Sequence, residues 1–307
     1  MLLKLTLEAL EPISIGLEST GIKMLLYRMP VVTPSGAVLE IPVIPGNSLR
    51  GVLRDAMAIQ FLSDVRKHQS NVSIHAGTAL SLFSGGILAR GEEAGVNAKD
   101  LDRLMKEYVQ YLLPISILGA SIGKIMIPSK IKVGMGYPIT RETDFLVNHL
   151  IINHLISSPN STPSLEDILV SVLMTRKDDR AKFGQLADLG IQLSELDKFL
   201  EEAGGKREVA VQQRFEREAV APGTKFVTYI RELLPLTNPE KGLVLETLDQ
   251  LSSVGGRIAG GLGEFKLTIL DGLLKSDKQQ ARNAYIKFIK AQSSKIAEAL
   301  KKNPQKV

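Results

Sequence analysis

The chain has no cysteine and no tryptophan, and aromatic residues fill only 5% of its 307 positions. Without thiols there can be no disulfide, no cysteine zinc site and no cysteine nucleophile, a pattern expected of a cytoplasmic protein. Long apolar runs are missing as well. The longest candidate, Phe145 to Ile156, is broken by Asn148, His149, Asn153 and His154, and a membrane span needs roughly 20 apolar residues. No membrane partner is expected. The first residues, Met1 to Thr6, alternate like a strand and lack the charged and apolar regions of a signal peptide. There is no G-x-x-x-x-G-K-S/T loop and no E-x-x-H pair. The four histidines, His68, His75, His149 and His154, include no pair at the i, i+4 spacing of helical metal ligands. No metal and no cofactor are expected.

What the chain does have is glycine in one place. Five of the nine residues from Gly255 to Gly263 are glycine: Gly255, Gly256, Gly260, Gly261 and Gly263, with Arg257 among them. One glycine suffices to end a helix and turn into a strand. Five with an embedded arginine suggest a loop that lies against something, and a phosphate backbone is the natural candidate. Nucleotide-binding glycine loops run from strand to helix, so that the helix N-terminus faces the phosphate. Here the order is helix, loop, strand, which excludes a dinucleotide or ATP site.

Hydrophobic residues at 44% and charged residues at 23% are a globular balance, in a chain long enough for one large domain or two smaller ones. The net charge of +5 is uneven. From Lys275 onward nine Lys or Arg face two acids, a balance of +7, which leaves −2 for everything before it. Any nucleic-acid contact of the main body must therefore rest on local clusters.

Hydrophobic periodicity places strands at 2–9 and 37–44, with loops and short extended pieces between. A helix is expected from Pro45-Gly46-Asn47-Ser48, where Asn47 or Ser48 is a credible cap, with Arg50 and Arg54 one turn apart beside its apolar stripe. Residues 67–97 read as irregular, and a helix follows Asn97. Residues 115–139 mix strand-like pieces with Lys124, Lys130 and Lys132. Helices are expected at about 143–157, 164–174 and 194–203, the last two opened by the capping-box pairs Ser164…Asp167 and Ser194…Asp197. Residues 209–231 read as two strands joined at Ala221-Pro222-Gly223, with Arg214, Glu216 and Glu218 on one side and Phe215 and Arg217 on the other. Asn238-Pro239 opens a further helix, and the tail from Ser276 to Lys302 reads as a basic amphipathic helix. The order at the two ends predicts an α+β, ferredoxin-like, RNA-recognition-motif-like core. It would be built from 1–66 and 225–274, with a long mixed α/β insertion at 67–224 that ends in a thumb-like hairpin near 209–224. A basic C-terminal helix, 275–307, completes the chain.

Ile44-Pro45-Gly46-Asn47-Ser48-Leu49-Arg50-Gly51 resembles the start of the first helix in RAMP-superfamily CRISPR proteins, and Gly255 to Gly263 resembles their C-terminal glycine-rich loop. The length, the insertion and the arginine-bearing strand pair resemble the backbone subunit of CRISPR effector complexes. Leu82-Phe83-Ser84-Gly85-Gly86 and Ile117 to Lys124 resemble the type IV backbone subunit, with type I-D close behind. The resemblance implies a subunit that coats guide RNA (crRNA) in a ribonucleoprotein of antiviral defence. Copies of the chain would form a helical filament along the guide, with other effector subunits and a complementary target nucleic acid as partners. Gly46, Asn47, Ser48, Arg50 and Arg54 would lie along the guide backbone, and the glycine loop with Arg257 would support the same groove. Lys124, Lys130, Lys132 and Arg141 would make finger-like contacts. The strands around Arg214 and Arg217 would act as a thumb, with Phe215 or the Val220-Ala221-Pro222 tip as its wedge. Such a subunit should hold phosphate and sugar and leave base edges free.

In type III relatives an aspartate in the loop after the first strand cuts target RNA. The first aspartate here is Asp55, and that region offers only Glu8, Glu11, Glu18 and Glu40 as acids. No catalysis is expected. The rivals are a type III-like ribonuclease, a guide-processing endoribonuclease, whose usual early histidine is missing before His68, and a protein-only scaffold.

Overall fold

A computed structural model describes residues 1–86, 98–122, 125–150, 162–177, 212–272 and 275–304. Its central sheet is built from both ends of the chain. Strand β1 (Leu2–Ala9) pairs antiparallel with β12 (Lys225–Glu232) on one side and with β13 (Phe265–Asp271) on the other. Strand β8 (Ile131–Val133) and the two-residue β9 (Tyr137–Pro138) both pair antiparallel with β12, which gives the order β13-β1-β12-β8. Alternation decides which face is covered: Leu3, Leu5 and Leu7 are buried on one side of β1, while Lys4 and Glu8 project from the other.

Helix α1 (Gly46–His68) lies on the covered face. Leu49, Leu53, Met57, Phe61 and Val65 repeat every four residues and are all buried, so one stripe of the helix enters the core. Arg66, Lys67 and His68 fill its last turn, where cations suit the dipole. Two more long elements share this layer: α6 (Asn238–Leu248) and α7 (Lys275–Leu300). Thr237 and Glu240 form a capping box at the start of α6, one residue earlier than the expected Asn238 cap. Around these sit α2 (Ala76–Ser84), α3 (Ala98–Tyr111), α4 (Leu113–Leu118) and the two-stranded β6 (Ala120–Ile122) and β7 (Ile125–Ile127). On the opposite face of the sheet α5 (Asp144–Leu150) contributes Val147, which packs with Val227, Tyr137 and Ile139 in a small second cluster.

A second sheet has the order β10-β11-β3-β2, from β2 (Gly16–Thr20), β3 (Lys23–Leu26), β10 (Leu169–Lys177) and β11 (Gln212–Val220). A separate ribbon pairs β4 (Arg28–Val32) with β5 (Val38–Pro42).

The structure differs from the sequence expectations at several points. The predicted helix at 164–174 is a turn followed by β10. The capping exchange is present, with the Ser164 amide donating to Asp167 Oδ2 at 2.8 Å and the Asp167 amide to Ser164 Oγ at 3.3 Å. Yet Leu169 to Lys177 pairs along its whole length with β11, and its Val170, Val172 and Thr175 suit a strand. The strands on either side of Ala221-Pro222-Gly223 do not pair with each other. Strand β11 pairs with β10 and β3, and β12 belongs to the central sheet, so the turn carries the chain between sheets. Val220 is buried, so it cannot serve as a free tip. The 67–97 stretch contains α2. The helix expected at 194–203 lies outside the described residues. The basic tail is α7, and it packs Ala281, Tyr285, Ile289 and Ile296 into the chain's own core.

Candidate functional site

The glycine segment leads from α6 into β13. Two of its glycines are required by close approach: a β-carbon on Gly263, which has φ 89°, would stand 2.2 Å from the Val254 carbonyl oxygen, and one on Gly255, φ 93°, would stand 2.7 Å from that of Ser14. The amides of Gly256, Gly260, Gly261 and Gly263 donate to Ser14, Arg257, Ile258 and Pro12 carbonyls. Four of the five glycine amides are therefore engaged inside the protein. With those amides spent on carbonyls, the donors that the loop has to offer are its side chains.

Arg257 is the side chain the loop presents. It is the one non-glycine residue with positive φ among those described, at 65°, and it is exposed. Its guanidinium carbon lies 5.9 Å from the centroid of the Phe215 ring, a cation–π contact with β11. Arg217 shares that face of β11, and its Nη1 comes within 3.7 Å of where a β-carbon on Gly256 would stand. Met174 of β10 reaches Gly260 from the strand paired opposite. The loop and the β10–β11 pair thus form one cluster, with Arg257 and Arg217 converging around Phe215 and neither paired with a carboxylate among the described residues. Arg214 is exposed, but alternation sets it on the other face. There the second sheet carries its own ion pairs: Glu218 takes Lys23 at 3.1 Å, Arg28 at 3.1 Å and the Leu26 amide at 3.2 Å. Burial pushes the Glu218 carboxyl up, but these bonds together hold it below the usual carboxylate range.

A second group gathers at the opposite edge of the central sheet, where α1 begins beside β8 and β9. A β-carbon on Gly46 would stand 2.7 Å from the Val133 carbonyl oxygen, so only glycine lets the helix start this close to the strand. No side chain caps α1 at Pro45; the Ser48 amide donates to Asn47 Oδ1 at 2.9 Å. Gly46, Asn47, Arg50 and Lys132 line a pocket of about 860 Å³ together with Tyr137 and Tyr229. Arg50 is steadied by the Leu118 carbonyl. Lys132 is exposed, with its ammonium 6.0 Å from the Tyr229 ring centroid.

Three predicted cations are engaged elsewhere. Arg54 is 7% exposed and its guanidinium donates to the carbonyls of Ser81, Leu82, Leu118 and Gly119 at 2.9–3.5 Å. Burial first, and then the Arg50 charge, pull its pKa down to about 10. It is a structural tie, and the segments it joins, Leu82 to Gly86 and Ile117 to Ile122, are the strings singled out in the sequence. Lys130 pairs at 2.6 Å with the buried Glu240, which also accepts from Ser116 and Thr237. Arg141 donates to the Thr162 carbonyl at 2.9 Å and lies 3.9 Å from Asp167. Lys124 lies outside the described residues.

Sequence reasoning missed Tyr137, Tyr229, Lys4 and Arg231. Register places Tyr229 directly opposite Lys4, and Arg231 opposite Lys132, on the face turned away from α1 and α6. The signal was present in the alternation of Lys225 to Glu232, but which face lay open depended on where α1 and α6 packed.

Among the described residues no group of three or more His, Asp or Glu side chains is arranged to hold a metal ion, and no helix is long and apolar enough to cross a membrane. No protein-family model matches the chain, and no curated protein matches it. Among solved structures, Csc2 of Thermofilum pendens aligns with a TM-score of 0.39 and 17% identity, over 97% of this chain and 80% of that one. A chain of a type IV-B CRISPR complex aligns with a TM-score of 0.52 and 19% identity, over 90% of this chain and 94% of that one. The chain therefore has the fold of a component of a type IV-B CRISPR complex, a mixed α+β architecture of largely antiparallel sheets.

Proposed function

We propose that this protein is a non-catalytic, guide-RNA-binding backbone subunit of a CRISPR ribonucleoprotein, of the RAMP type, with a ferredoxin-like core. The observation that carries the reading is the convergence of Arg257, held in a left-handed conformation, with Arg217 around Phe215. Two guanidinium groups beside an aromatic ring, neither paired with a carboxylate among the described residues, suit a ribose-phosphate strand. They supply forked donors to phosphate and a stacking surface, and they read no base edge. The antiparallel order β13-β1-β12-β8, with α1 and α6 on one face, supports the ferredoxin-like reading of the core. The shared fold with a chain of a type IV-B CRISPR complex supports the setting. In that setting copies assemble head-to-tail along the guide, a heterologous contact that does not close, so RNA length sets filament length. Other effector subunits and a complementary target complete the assembly, which is expected in the cytoplasm. The absence of aspartate before Asp55 supports the non-catalytic reading over a type III-like nuclease.

Arg257→Ala tests the reading. It should weaken binding of unrelated oligoribonucleotides alike, by about tenfold for the loss of charge-assisted bonds, in fluorescence anisotropy. A loss confined to one sequence, or none at all with partner subunits supplied, counts against it. Regular cuts in labelled complementary RNA with divalent metal, abolished by replacing Glu11 or Glu18, would instead identify a nuclease.

A further inference from the structure

Strand β10 is one edge of the second sheet, and its outer backbone is unused. On the far side of β11, Val220 exchanges amide and carbonyl bonds with Ile13, and the Glu216 amide donates to the Ile22 carbonyl at 2.9 Å. Those two residues face away from β10, so alternation turns Phe215, Arg217 and Ala219 toward it. Their register partners are Met174, Val172 and Val170. The residues between, Ser171, Leu173 and Thr175, direct N–H and C=O outward, where no backbone partner stands among the described residues. All three side chains are exposed, Leu173 at 63%.

An open strand edge invites pairing, and proteins blunt it with proline, charge or a covering segment. Other edges of this molecule show such devices. Pro30 and Pro42 stand in the two strands of the β4–β5 ribbon. Strand β13 carries Lys266, and its Phe265 amide is taken by the Ser252 carbonyl at 2.7 Å. From Leu169 to Thr175, β10 has no proline, no glycine and no charge. The edge is also complementary to itself. When a second copy of β10 runs antiparallel about Leu173, Leu173 falls opposite Leu173, Ser171 opposite Thr175 and Val172 opposite Met174. Each outward amide of one copy then meets an outward carbonyl of the other. Arg176 and Lys177 fall opposite Val170 and Leu169, so no like charges meet.

We propose that two copies of this chain pair edge to edge through β10, joining their second sheets into one. The contact is isologous and closes on itself, unlike the head-to-tail contact of a filament. Residues directly opposite in an antiparallel pair share a face, so the clusters of Arg257, Arg217 and Phe215 from both copies lie on one side of the joined sheet. They run in opposite directions there. An RNA strand has one polarity and meets the two clusters in opposite senses, so the pair is a form of the free protein and not a step of the filament.

The test uses the full chain, freed of nucleic acid, in light scattering across a concentration series. The mass should rise toward twice that of one chain. Leu173→Lys and Leu173→Glu each set like charges directly opposite one another and should stay single. Mixed in equal amounts, the two variants should pair again. Thermal unfolding checks that both fold, as the exposed position leads one to expect. The chain has no cysteine, so Leu173→Cys carries its one thiol. Hydrogen-bonded residues opposite each other stand about 5.5 Å apart at Cα, within the roughly 4.4–6.8 Å that a disulfide spans. This variant should lock as a dimer under mild oxidation, and Ser35→Cys, at the exposed tip of the β4–β5 ribbon, should not. A parent that stays single at every concentration, with no locked Leu173→Cys dimer, overturns the proposal. So does a dimer that survives in both charged variants, which would use another surface. Equal locking by Ser35→Cys would mark chance collision and overturns it too. If the charged variants do not fold, the two cysteine variants decide. The outcome is separate from the RNA-binding reading: a chain that pairs this way and binds no RNA keeps the proposal, and one that binds RNA and never pairs loses it.

Discussion

At the scale of single residues, the two arginines that decide the reading are held in opposite ways. Arg257 is exposed at φ 65°, a conformation that costs a branched or long side chain about 1 kcal/mol. Glycine would relieve that strain but adds about 0.5–1 kcal/mol of unfolded-chain entropy, so the terms nearly cancel. Arg257→Gly should therefore unfold in urea within about 1 kcal/mol of the parent and still lose RNA affinity. A large stability change would mean that the arginine serves the fold. Arg54 is the reverse. Its guanidinium satisfies four carbonyls in the interior, and methionine would leave them without donors. Arg54→Met should cost about 3 kcal/mol, the scale of several buried charge-assisted bonds. The RNA affinity of the folded fraction should stay unchanged. A soluble, stable variant that no longer binds RNA would restore the role that the sequence suggested for it.

At the scale of elements, α6 and α7 make the tightest contact of the helical layer. A β-carbon on Gly242 would stand 2.3 Å from the Ala281 carbonyl oxygen, and helix backbone cannot yield by that much. Alanine gains about 1 kcal/mol in helix propensity over glycine, whereas overpacking against backbone costs up to about 3 kcal/mol. Gly242→Ala should thus be destabilising by about 1–2 kcal/mol in chemical denaturation, and a gain in stability would show that the helices can part. Elements with strong local signals were legible before the fold was known. The four-residue stripe of α1, the alternation of β1 and the glycine segment all stood where the sequence put them. Elements decided by distant partners were not. Strand β10 opens with a helix-capping exchange, and only its pairing with β11 makes it a strand. Lys130 and Arg54 looked like Lys132 and Arg50 in the sequence, because a partner as remote as Glu240 or a carbonyl beyond residue 80 leaves no local mark. Tyr229 was hidden for the same reason: its exposure depends on which side of the sheet the helices cover.

At the scale of the whole molecule, charge and site are separated. The stretch from Lys275 onward holds a balance of +7 and the rest sums to −2, so composition alone would put the polyanion on the tail. The structure argues otherwise. Helix α7 buries Tyr285 and Ile289 against α1 and α6, Tyr285 donates to Asp64 at 2.9 Å, and Arg282 pairs with Glu246 and Asp249. The cations it leaves in solvent, such as Lys287 and Lys290, stand on a helix that serves the core. Single-stranded RNA binding falls with salt by a log–log slope of about −0.7 for each phosphate neutralised. The slope therefore counts the cations that touch the strand, wherever the net charge resides. Replacing Lys287 and Lys290 together by serine should leave the slope of the parent protein unchanged. Replacing Arg217 and Arg257 together should make it shallower by about 1.4, two phosphate contacts at about 0.7 each. Affinities measured across a salt series for both double variants separate the two surfaces, and a shallower slope from the helix variant alone would move the RNA path from the glycine segment to α7.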